Sequence, residues 1–475
     1  MQRIYLLLAF FICTISAFAQ NGYQIKVDIE GYNQENLYLG YYYGDKTLIQ
    51  DTTQVDTDGT FTFSGDNPLA PGMYLVVLAP DNNFFQLLIE EDEQQFQIKT
   101  QKDQLTEAIQ FSGSPTNKLF YDYLAFLGSV RPKAQAISQE MQEAGEQRKA
   151  TLQNDLDKIN QQVVDYQQNI LQQHPESFTA LIIRSNQGVE TPDFSGTEEE
   201  KQMQSWYYTR RHFFDNIDLG DPRLLRTPFL FERINTYIEK LHYQTPDSTI
   251  QAIDNVLAQL EPSEESYKYY LIQFLNKYAS SKIVGQDAIY VHLALNYYAK
   301  GKASWVEEEQ LNKIVEDASK LEPLLIGKIA PDVKLQKRDG SKISLYEVDS
   351  EYTVLYFWRY DCGHCKESTP FMRDFYNEFK DKGVKILAVC TKQRDEIAGC
   401  WEYVAENEIQ NWIHTVDPYG LYMLDYNVKT TPQVYVLDKN KKIVMKKIGA
   451  EQLGEVMGRI IEMDKNKAAE ANSGE

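Results

Sequence analysis

The chain has 475 residues, of which 43% are hydrophobic and 25% are charged, and its formal net charge is −21. At roughly 100–200 residues per domain this length predicts two to four domains, and the apolar fraction is sufficient for packed cores. The negative charge excludes a nucleic-acid binder, whose affinity depends on lysine and arginine, and it disfavours peripheral binding to anionic lipid. Five cysteines are too few for a small disulfide scaffold.

The first residues have the pattern of a secretory signal peptide. Arg3 precedes an apolar run, and Ala17-Phe18-Ala19 has the small-x-small pattern of a signal peptidase site. The apolar run is too short to cross about 30 Å of hydrocarbon. We therefore predict a signal peptide over residues 1–19, export to the periplasm, and a soluble mature protein without stable membrane insertion.

Short strands with period-two alternation are predicted after the signal peptide. Tyr23-Gln-Ile-Lys-Val-Asp-Ile and Asn36-Leu-Tyr-Leu-Gly-Tyr both alternate, and Asp58-Gly59 is a hairpin turn before Thr60-Phe-Thr-Phe. Further runs are Met73 to Leu78, Phe84 to Ile89, Phe96 to Lys99 and Ala108 to Phe111. Six to eight strands at this spacing predict an antiparallel β-sandwich over residues 20–113.

Helical spacing replaces the strand pattern over residues 114–321, which predicts a central all-α domain. Its clearest stretch is an apolar seam with heptad spacing on Leu152, Leu156, Ile159, Val163, Tyr166 and Ile170. We interpret it as a long helix packed against its neighbour. Residues 188–196 predict a loop. Further helices are predicted near residues 202–214, 229–241, 248–260, 265–278, 288–299 and 307–321.

Strand and helix patterns alternate over residues 322–465, which predicts a layered α/β domain. The predicted strands are 353–358, 384–389, 413–416, 433–437 and 443–448, and the predicted helices are 365–380, 396–407 and 452–463. The polar residues 466–475 are expected to be a disordered tail.

Four residues after a continuous apolar strand, Val354–Trp358, the chain reads Cys362-Gly363-His364-Cys365 and continues as an amphipathic helix. Cys362 therefore lies where a helix begins, and the free N–H groups and helix dipole there lower a thiol pKa. Cys365 follows one turn later, within disulfide reach. In an oxidising compartment such a pair is typical of redox chemistry.

Three other interpretations of the cysteine pair are weaker. A zinc site needs a second close pair of ligands, which Cys390, Cys400 and His414 do not provide at the required spacing. A c-type haem site needs histidine directly after the second cysteine, where this chain has Lys366. A permanently closed structural disulfide is the third. We predict no metal and no cofactor.

This segment resembles the thioredoxin superfamily, specifically the TlpA/ResA-like exported thiol–disulfide oxidoreductases. The matching features are Gly327-Lys-Ile-Ala-Pro-Asp332, Asp339-Gly340 in a first hairpin, Phe357-Trp358, the CGHC sequence, and Thr430-Thr431-Pro432 at the position of the family's cis-proline. More loosely, the first two segments resemble the β-sandwich and helical domains that often precede such modules in exported bacterial proteins.

The resemblance implies roles for individual residues. Cys362 and Cys365 are the catalytic pair, and Gly363 and His364 between them tune its reduction potential. Trp358, Thr431 and Pro432 position the substrate.

Two positions depart from the family pattern. Tyr356 stands where thioredoxin has a buried carboxylate, and Ser368 stands where some ResA-like proteins have a glutamate. Both acids assist proton transfer to the buried thiol. Glu367, His364 and solvent are the alternatives for that task here.

Cys390 ends a predicted strand and Cys400 lies on the next predicted helix. They are buried free thiols, a second disulfide, or redox participants, and the sequence leaves all three open because pairing needs Cα atoms within about 7 Å.

We interpret the chain as an exported thiol–disulfide oxidoreductase that reduces protein disulfides. The alternatives are a disulfide oxidase or isomerase in the same compartment, and a surface- or partner-binding protein in which the thioredoxin-like module is regulatory. The expected partners are protein disulfides or dithiols, with a membrane electron donor as a candidate, and nucleic acid is excluded.

Overall fold

The computed structural model describes residues 22–473, so the predicted signal peptide at residues 1–19 lies outside the described residues. The chain forms two compact units. The first contains the residues up to Leu241 together with Ala258–Tyr267, and the second contains His242–Leu257 and the residues from Lys268 onward. Within 22–473, no helix has the length and apolar character needed to cross a membrane. The boundaries at 20–113, 114–321 and 322–465 stay a prediction.

The first unit begins with a two-sheet β-sandwich. Its strands are β1 (Tyr23–Glu30), β2 (Asn36–Tyr43), β3 (Lys46–Gln54), β4 (Phe61–Gly65), β5 (Gly72–Leu78), β6 (Asn83–Ile89), β7 (Gln95–Gln101) and β8 (Gln110–Ser112). One sheet has the order β4-β1-β7-β8 and the other β3-β2-β5-β6. Alternate residues of both sheets, such as Ile25, Phe63 and Leu87, are fully buried in a shared core. This confirms the predicted sandwich.

Two features of the sandwich differ from the sequence prediction. The pairing of β1 with β7 is parallel, so the sandwich is not wholly antiparallel. Strand β3 was not predicted, because its sequence, Lys46-Thr-Leu-Ile-Gln-Asp-Thr-Thr-Gln, is polar and lies at a sheet edge where almost every side chain is exposed. Such a strand has no buried face to give an apolar alternation.

Helices follow the sandwich in the first unit. They are α1 (Pro115–Glu143), α2 (Glu146–Gln173), α3 (Phe178–Asn186), α4 (Glu198–Arg211) and α5 (Pro228–Lys240). The heptad seam lies on α2 and packs against α1, where Tyr166 stacks on Phe126 with ring centroids 4.1 Å apart. The interpretation as a long helix packed on its neighbour is therefore confirmed.

Helices α6 (Pro246–Leu260), α7 (Glu264–Ala279), α8 (Asp287–Leu293) and α9 (Glu308–Leu321) continue the helical region. The division between the two units falls within α6 and α7. In the second unit, Asp254 accepts hydrogen bonds from Tyr297 at 2.7 Å and from His292 at 2.8 Å. The single helix predicted at 288–299 is instead α8 followed by a π-helical segment at Ala294–Tyr298.

The second unit ends in a seven-stranded sheet with helices on both faces. Its strands are β9 (Lys334–Gln336), β10 (Lys342–Ser344), β11 (Tyr352–Trp358), β12 (Val384–Cys390), β13 (Ile413–Val416), β14 (Gln433–Asp438) and β15 (Ile443–Lys446), in the order β10-β9-β13-β12-β11-β14-β15. Its helices are α10 (Gly363–Phe379), α11 (Ile397–Glu406), α12 (Tyr422–Tyr426) and α13 (Ala450–Ser473). This confirms the predicted thioredoxin-like α/β fold.

Strand β11 is parallel to β12 and antiparallel to β14, and all seven of its residues are buried. This is the central buried strand that the apolar run predicts, and its carboxyl end sets the position of the cysteine pair. Helix α13 reaches Ser473 and so includes residues 466–473, which we expected to be a disordered tail. The alanine, lysine and glutamate in that segment are strong helix formers, which explains the difference.

Candidate active site

The two cysteines lie at the junction of β11 and α10. Cys362 is the residue that caps the amino terminus of α10, and its carbonyl accepts the hydrogen bond from the Lys366 N–H at 3.1 Å. The first N–H groups of a helix have no partner within the helix, so they are directed toward the Cys362 side chain. The helix begins at Gly363, two residues earlier than predicted.

The two thiols differ in their surroundings. The Cys362 side chain is partly exposed, whereas Cys365 faces the core and is 1% exposed. The Cys362 thiol also donates a hydrogen bond of 3.3 Å to the Thr431 carbonyl, and the following Thr431–Pro432 peptide bond is cis, as the resemblance implies. The structure thus places Cys362, Thr431 and Pro432 together at the carboxyl end of the central strand β11.

These surroundings move the two pKa values in opposite directions. Burial alone would raise the pKa of Cys362, but hydrogen bonds from the backbone of Cys365 and His364 and from the side chains of Thr431 and Cys365 together hold it below its ordinary value. For Cys365, burial dominates and raises the thiol pKa to about 12. Of the two thiols, Cys362 therefore loses its proton at the lower pH, and Cys365 keeps its proton at neutral pH.

We expect iodoacetamide to alkylate Cys362 at pH 7 at least about a hundred-fold faster than Cys365, because only the thiolate is nucleophilic. Since the pKa of Cys362 is lowered, its rate should reach half of its maximum at a lower pH than that of an ordinary thiol. Mass spectrometry of the reduced protein after timed alkylation at pH 5 to 9 measures both rates. A Cys362 rate that rises only around the ordinary thiol pKa of about 8.5 would contradict this expectation.

The residues between the cysteines lie on the surface. The His364 side chain is 84% exposed and approaches the carboxylate of Glu367, itself 77% exposed, at 3.4 Å. Both side chains point into solvent, whereas the Cys365 thiol faces the core. This geometry disfavours Glu367 and His364 as direct proton acceptors for Cys365.

Tyr356 occupies the core beside the two thiols. It is 1% exposed, and its hydroxyl is buried without a hydrogen-bond partner among the described residues. Burial raises its pKa well above the ordinary value, so the hydroxyl stays protonated and is not a base. Tyr356 lines a cavity of about 360 Å³ together with Ser368 and Pro432. This volume is large enough to hold water molecules beside the residue.

Trp358 is placed differently from the expectation that it positions substrate. Its side chain is 2% exposed and packs beneath the loop, with ring centroids 5.3 Å from Tyr403 and 6.2 Å from His414. The Tyr403 hydroxyl in turn meets that of Thr369 at 2.9 Å. Trp358 therefore packs in the core beneath the loop, and its role in positioning substrate stays a prediction.

An ionic network that was not predicted from the sequence lies directly before Cys362. Arg359 donates two hydrogen bonds of 3.0 Å to the carboxylate of Asp361, and Lys392 lies 2.9 Å from the same carboxylate and 2.5 Å from Glu396. The hydrogen bonds from Arg359 and Lys392 hold the pKa of Asp361 well below its ordinary value. The opposite charges of Arg359 and Asp361, two residues apart, were visible in the sequence. Their contact with Lys392 was not, because Lys392 lies far away along the chain.

Cys390 and Cys400 form a disulfide, with Cα atoms 6.3 Å apart. It joins the end of β12 to α11, and both cysteines are buried. Of the three alternatives for these cysteines, the structure selects the second disulfide. In register, Cys390 lies beside Trp358, so the bond secures the strand next to the active-site strand.

Three domain families match segments of the chain. Residues 326–446 match the AhpC/TSA family. Residues 23–120 match a domain of unknown function, DUF4369, and residues 146–321 match another, DUF5106.

Similar proteins are found for the carboxyl-terminal part. The thiol-disulfide oxidoreductase ResA of Bacillus cereus is 29% identical over 145 residues, which are 30% of this chain and 82% of that protein. A thioredoxin-like protein of Haemophilus influenzae is 27% identical over 110 residues, which are 23% of this chain and 62% of that protein. A crystal structure of a domain of a possible thiol-disulfide isomerase from Cytophaga hutchinsonii is 33% identical, with a TM-score of 0.29, and the match covers 30% of this chain and 99% of that domain.

The family match begins just before β9 and ends with β15, so it includes β11, the cysteine pair and the cis peptide bond. The carboxyl-terminal part of this chain is therefore a thioredoxin-like domain of the AhpC/TSA family, related to thiol-disulfide oxidoreductases.

Proposed function

We propose that this protein is an exported thiol–disulfide oxidoreductase that reduces protein disulfides with Cys362 and Cys365. The observation that carries the proposal is the asymmetry of the two thiols. Cys362 is partly exposed with a lowered pKa, and Cys365 is buried with a raised pKa. An exposed nucleophile backed by a protonated, protected thiol is the arrangement that two-step disulfide exchange requires.

In the first step, the Cys362 thiolate attacks one sulfur of the substrate disulfide. The substrate S–S bond breaks, a mixed disulfide forms on Cys362, and the leaving thiolate takes a proton from water. In the second step, Cys365 loses its proton and attacks the Cys362 sulfur, which releases the second substrate thiol. Two electrons pass to the substrate, and a dithiol donor must then reduce the Cys362–Cys365 disulfide.

The residues around the pair support this sequence of steps. The side chains of Glu367 and His364 point into solvent, which leaves solvent as the proposed acceptor of the Cys365 proton. The Thr431 carbonyl, which now accepts from Cys362, lies where it can hold the substrate backbone beside the attacking sulfur. Positioning of the substrate therefore falls to Thr431 and Pro432. Gly363 and His364 adjust the potential of the pair from the surface.

The reduction potential of the cysteine pair tests the direction. We expect a value near about −270 mV, typical of a reductant, whereas a value above about −180 mV would assign the protein to oxidation or isomerisation. The protein is equilibrated in dithiothreitol or glutathione buffers of graded potential, and the thiols are trapped by alkylation. Peptide mapping separates this pair from the buried Cys390–Cys400 disulfide, which serves as the internal control.

A further inference from the structure

The segment that leads to the cis-proline loop exposes an unusual amount of apolar surface. Tyr419, Leu421, Met423 and Leu424 are 83%, 53%, 48% and 75% exposed. We call these four side chains the apolar ridge. Large apolar side chains clustered on a surface mark interaction sites more often than single ones do.

The ridge is held in a fixed conformation by its inward-facing neighbours. The buried carboxylate of Asp417 accepts hydrogen bonds from the N–H groups of Tyr419 at 3.1 Å and Tyr422 at 2.8 Å. Tyr422 and Tyr426 are buried, and their hydroxyls donate to the carbonyls of Thr391 and Pro331. Because Asp417, Tyr422 and Tyr426 anchor the segment from inside, the apolar side chains of the ridge are held on its outer face.

The ridge is continuous with the proposed active site. Met423 lines a cavity of about 350 Å³ that is also lined by Thr431, whose carbonyl accepts from the Cys362 thiol. A polypeptide bound at Cys362 and extending along this cavity would reach the ridge within a few residues, since an extended chain advances about 3.3 Å per residue.

The cavity between Cys362 and the ridge has a basic lining. Arg359, Lys392 and Lys429 contribute to it against one carboxylate, that of Glu396. Arg359 and Lys392 already hold Asp361 and Glu396, so part of their charge is neutralised. Lys429 is exposed and is not a member of that network. In a chain of net charge −21, a basic cavity at this place is a local reversal of charge.

We propose that the substrate is a polypeptide whose reactive cysteine is flanked by an acidic side chain and by a large apolar side chain. The acidic side chain would form an ion pair with Lys429, and the apolar side chain would pack on the ridge. This inference rests on the proposed function and adds its substrate class. It requires a flexible or unfolded segment, because the cysteine, the acid and the apolar residue must lie extended along the cavity.

The experiment uses the full chain and three disulfide-linked peptides of equal length. One carries leucine and glutamate next to the cysteine, the second carries leucine and lysine, and the third carries serine and glutamate. Hydroxyethyl disulfide is small and uncharged, so its rate of reduction measures thiol–disulfide exchange without peptide binding. We expect kcat/KM for the leucine–glutamate peptide to exceed that of the serine–glutamate peptide by about ten-fold, through KM, since burying one large apolar side chain has that size of effect. It should also exceed that of the leucine–lysine peptide, because Lys429 attracts glutamate and repels lysine.

Two variants and a matched control test whether Leu424 and Lys429 contact the peptide. Leu424→Ser should lower kcat/KM for both leucine peptides by about ten-fold and leave the serine peptide unchanged. Lys429→Glu should reverse the preference between the glutamate and lysine peptides. Met463→Ser, which replaces another exposed apolar side chain on α13, should change none of these values.

The outcomes separate the two proposals. If hydroxyethyl disulfide is reduced by the protein but the three peptides react equally, the substrate class is wrong and the oxidoreductase stands. If the wild-type protein sediments as a dimer that Leu424→Ser dissociates, the ridge binds a second copy of this chain, and the inference is overturned. If no disulfide is reduced, the proposed function fails first.

Discussion

Replacing Cys365 by alanine should trap substrates on Cys362 as mixed disulfides, whereas replacing Cys362 by alanine should reduce disulfide exchange to the uncatalysed background. The first variant keeps the partly exposed thiol and the backbone hydrogen bonds that lower its pKa, but it lacks the thiol that releases the substrate. The second keeps only a thiol that is 1% exposed and whose pKa is raised to about 12. The measurement is non-reducing electrophoresis after acid quenching, followed by mass spectrometry of the linked peptides.

The double variant with both cysteines replaced is the matched control, because it retains the Cys390–Cys400 disulfide and should trap nothing. Mixed disulfides on Cys390 or Cys400 would contradict the assignment of the active pair. Partner capture that is equal in the wild type and in both single variants would instead favour the hypothesis that the protein binds a partner and that its thioredoxin-like module is regulatory.

The active-site loop was predictable because its information is local. A continuous apolar strand, two cysteines one helical turn apart and an amphipathic helix follow each other within about 25 residues. Their order alone places Cys362 at the beginning of a helix. The depth of the two thiols was not predictable in the same way, because Cys365 is buried in a core that β11, β12 and α13 build together from distant parts of the chain.

Features that depend on distant contacts were only partly predictable. The Cys390–Cys400 disulfide follows from the packing of α11 on β12, which sets a Cα separation of 6.3 Å. The apolar ridge follows from which face of α12 is turned inward, and this five-residue helix is too short to give a periodic signal. Trp358 was assigned to substrate positioning by resemblance, and its burial in the core could not be read from β11, whose residues are buried on both faces.

Lys446 is a second case in which the sequence is misleading. It ends the apolar strand β15, where a lysine is normally exposed, yet its side chain is 2% exposed. Its ammonium lies 2.6 Å from the carboxylate of Asp287, at the start of α8, and donates to the Leu324 carbonyl at 2.6 Å. The pair connects the helices of the second unit to its sheet. Burial lowers the pKa of Lys446, and Asp287 opposes that shift.

Replacing Lys446 by methionine should lower the free energy of unfolding of the second unit by about 3–5 kcal/mol, because the carboxylate of Asp287 is then left buried without its main partner. The double variant Lys446→Met/Asp287→Leu should recover most of this loss, since well-packed apolar side chains substitute for a buried ion pair at little cost. Urea titration followed by tryptophan fluorescence measures both, as Trp358, Trp401 and Trp412 lie in the carboxyl-terminal part.

Lys447→Met is the matched control, because Lys447 is 3.9 Å from the same carboxylate but its side chain is 54% exposed. Exposed ion pairs contribute at most about 1 kcal/mol, so this variant should be close to the wild type. If Lys446→Met and Lys447→Met were equally stable, burial would not be what gives the Lys446–Asp287 pair its strength. If the double variant is no more stable than Lys446→Met, removing the unpaired Asp287 carboxylate does not restore the free energy of unfolding. The loss of stability would then come from disturbed packing of β15.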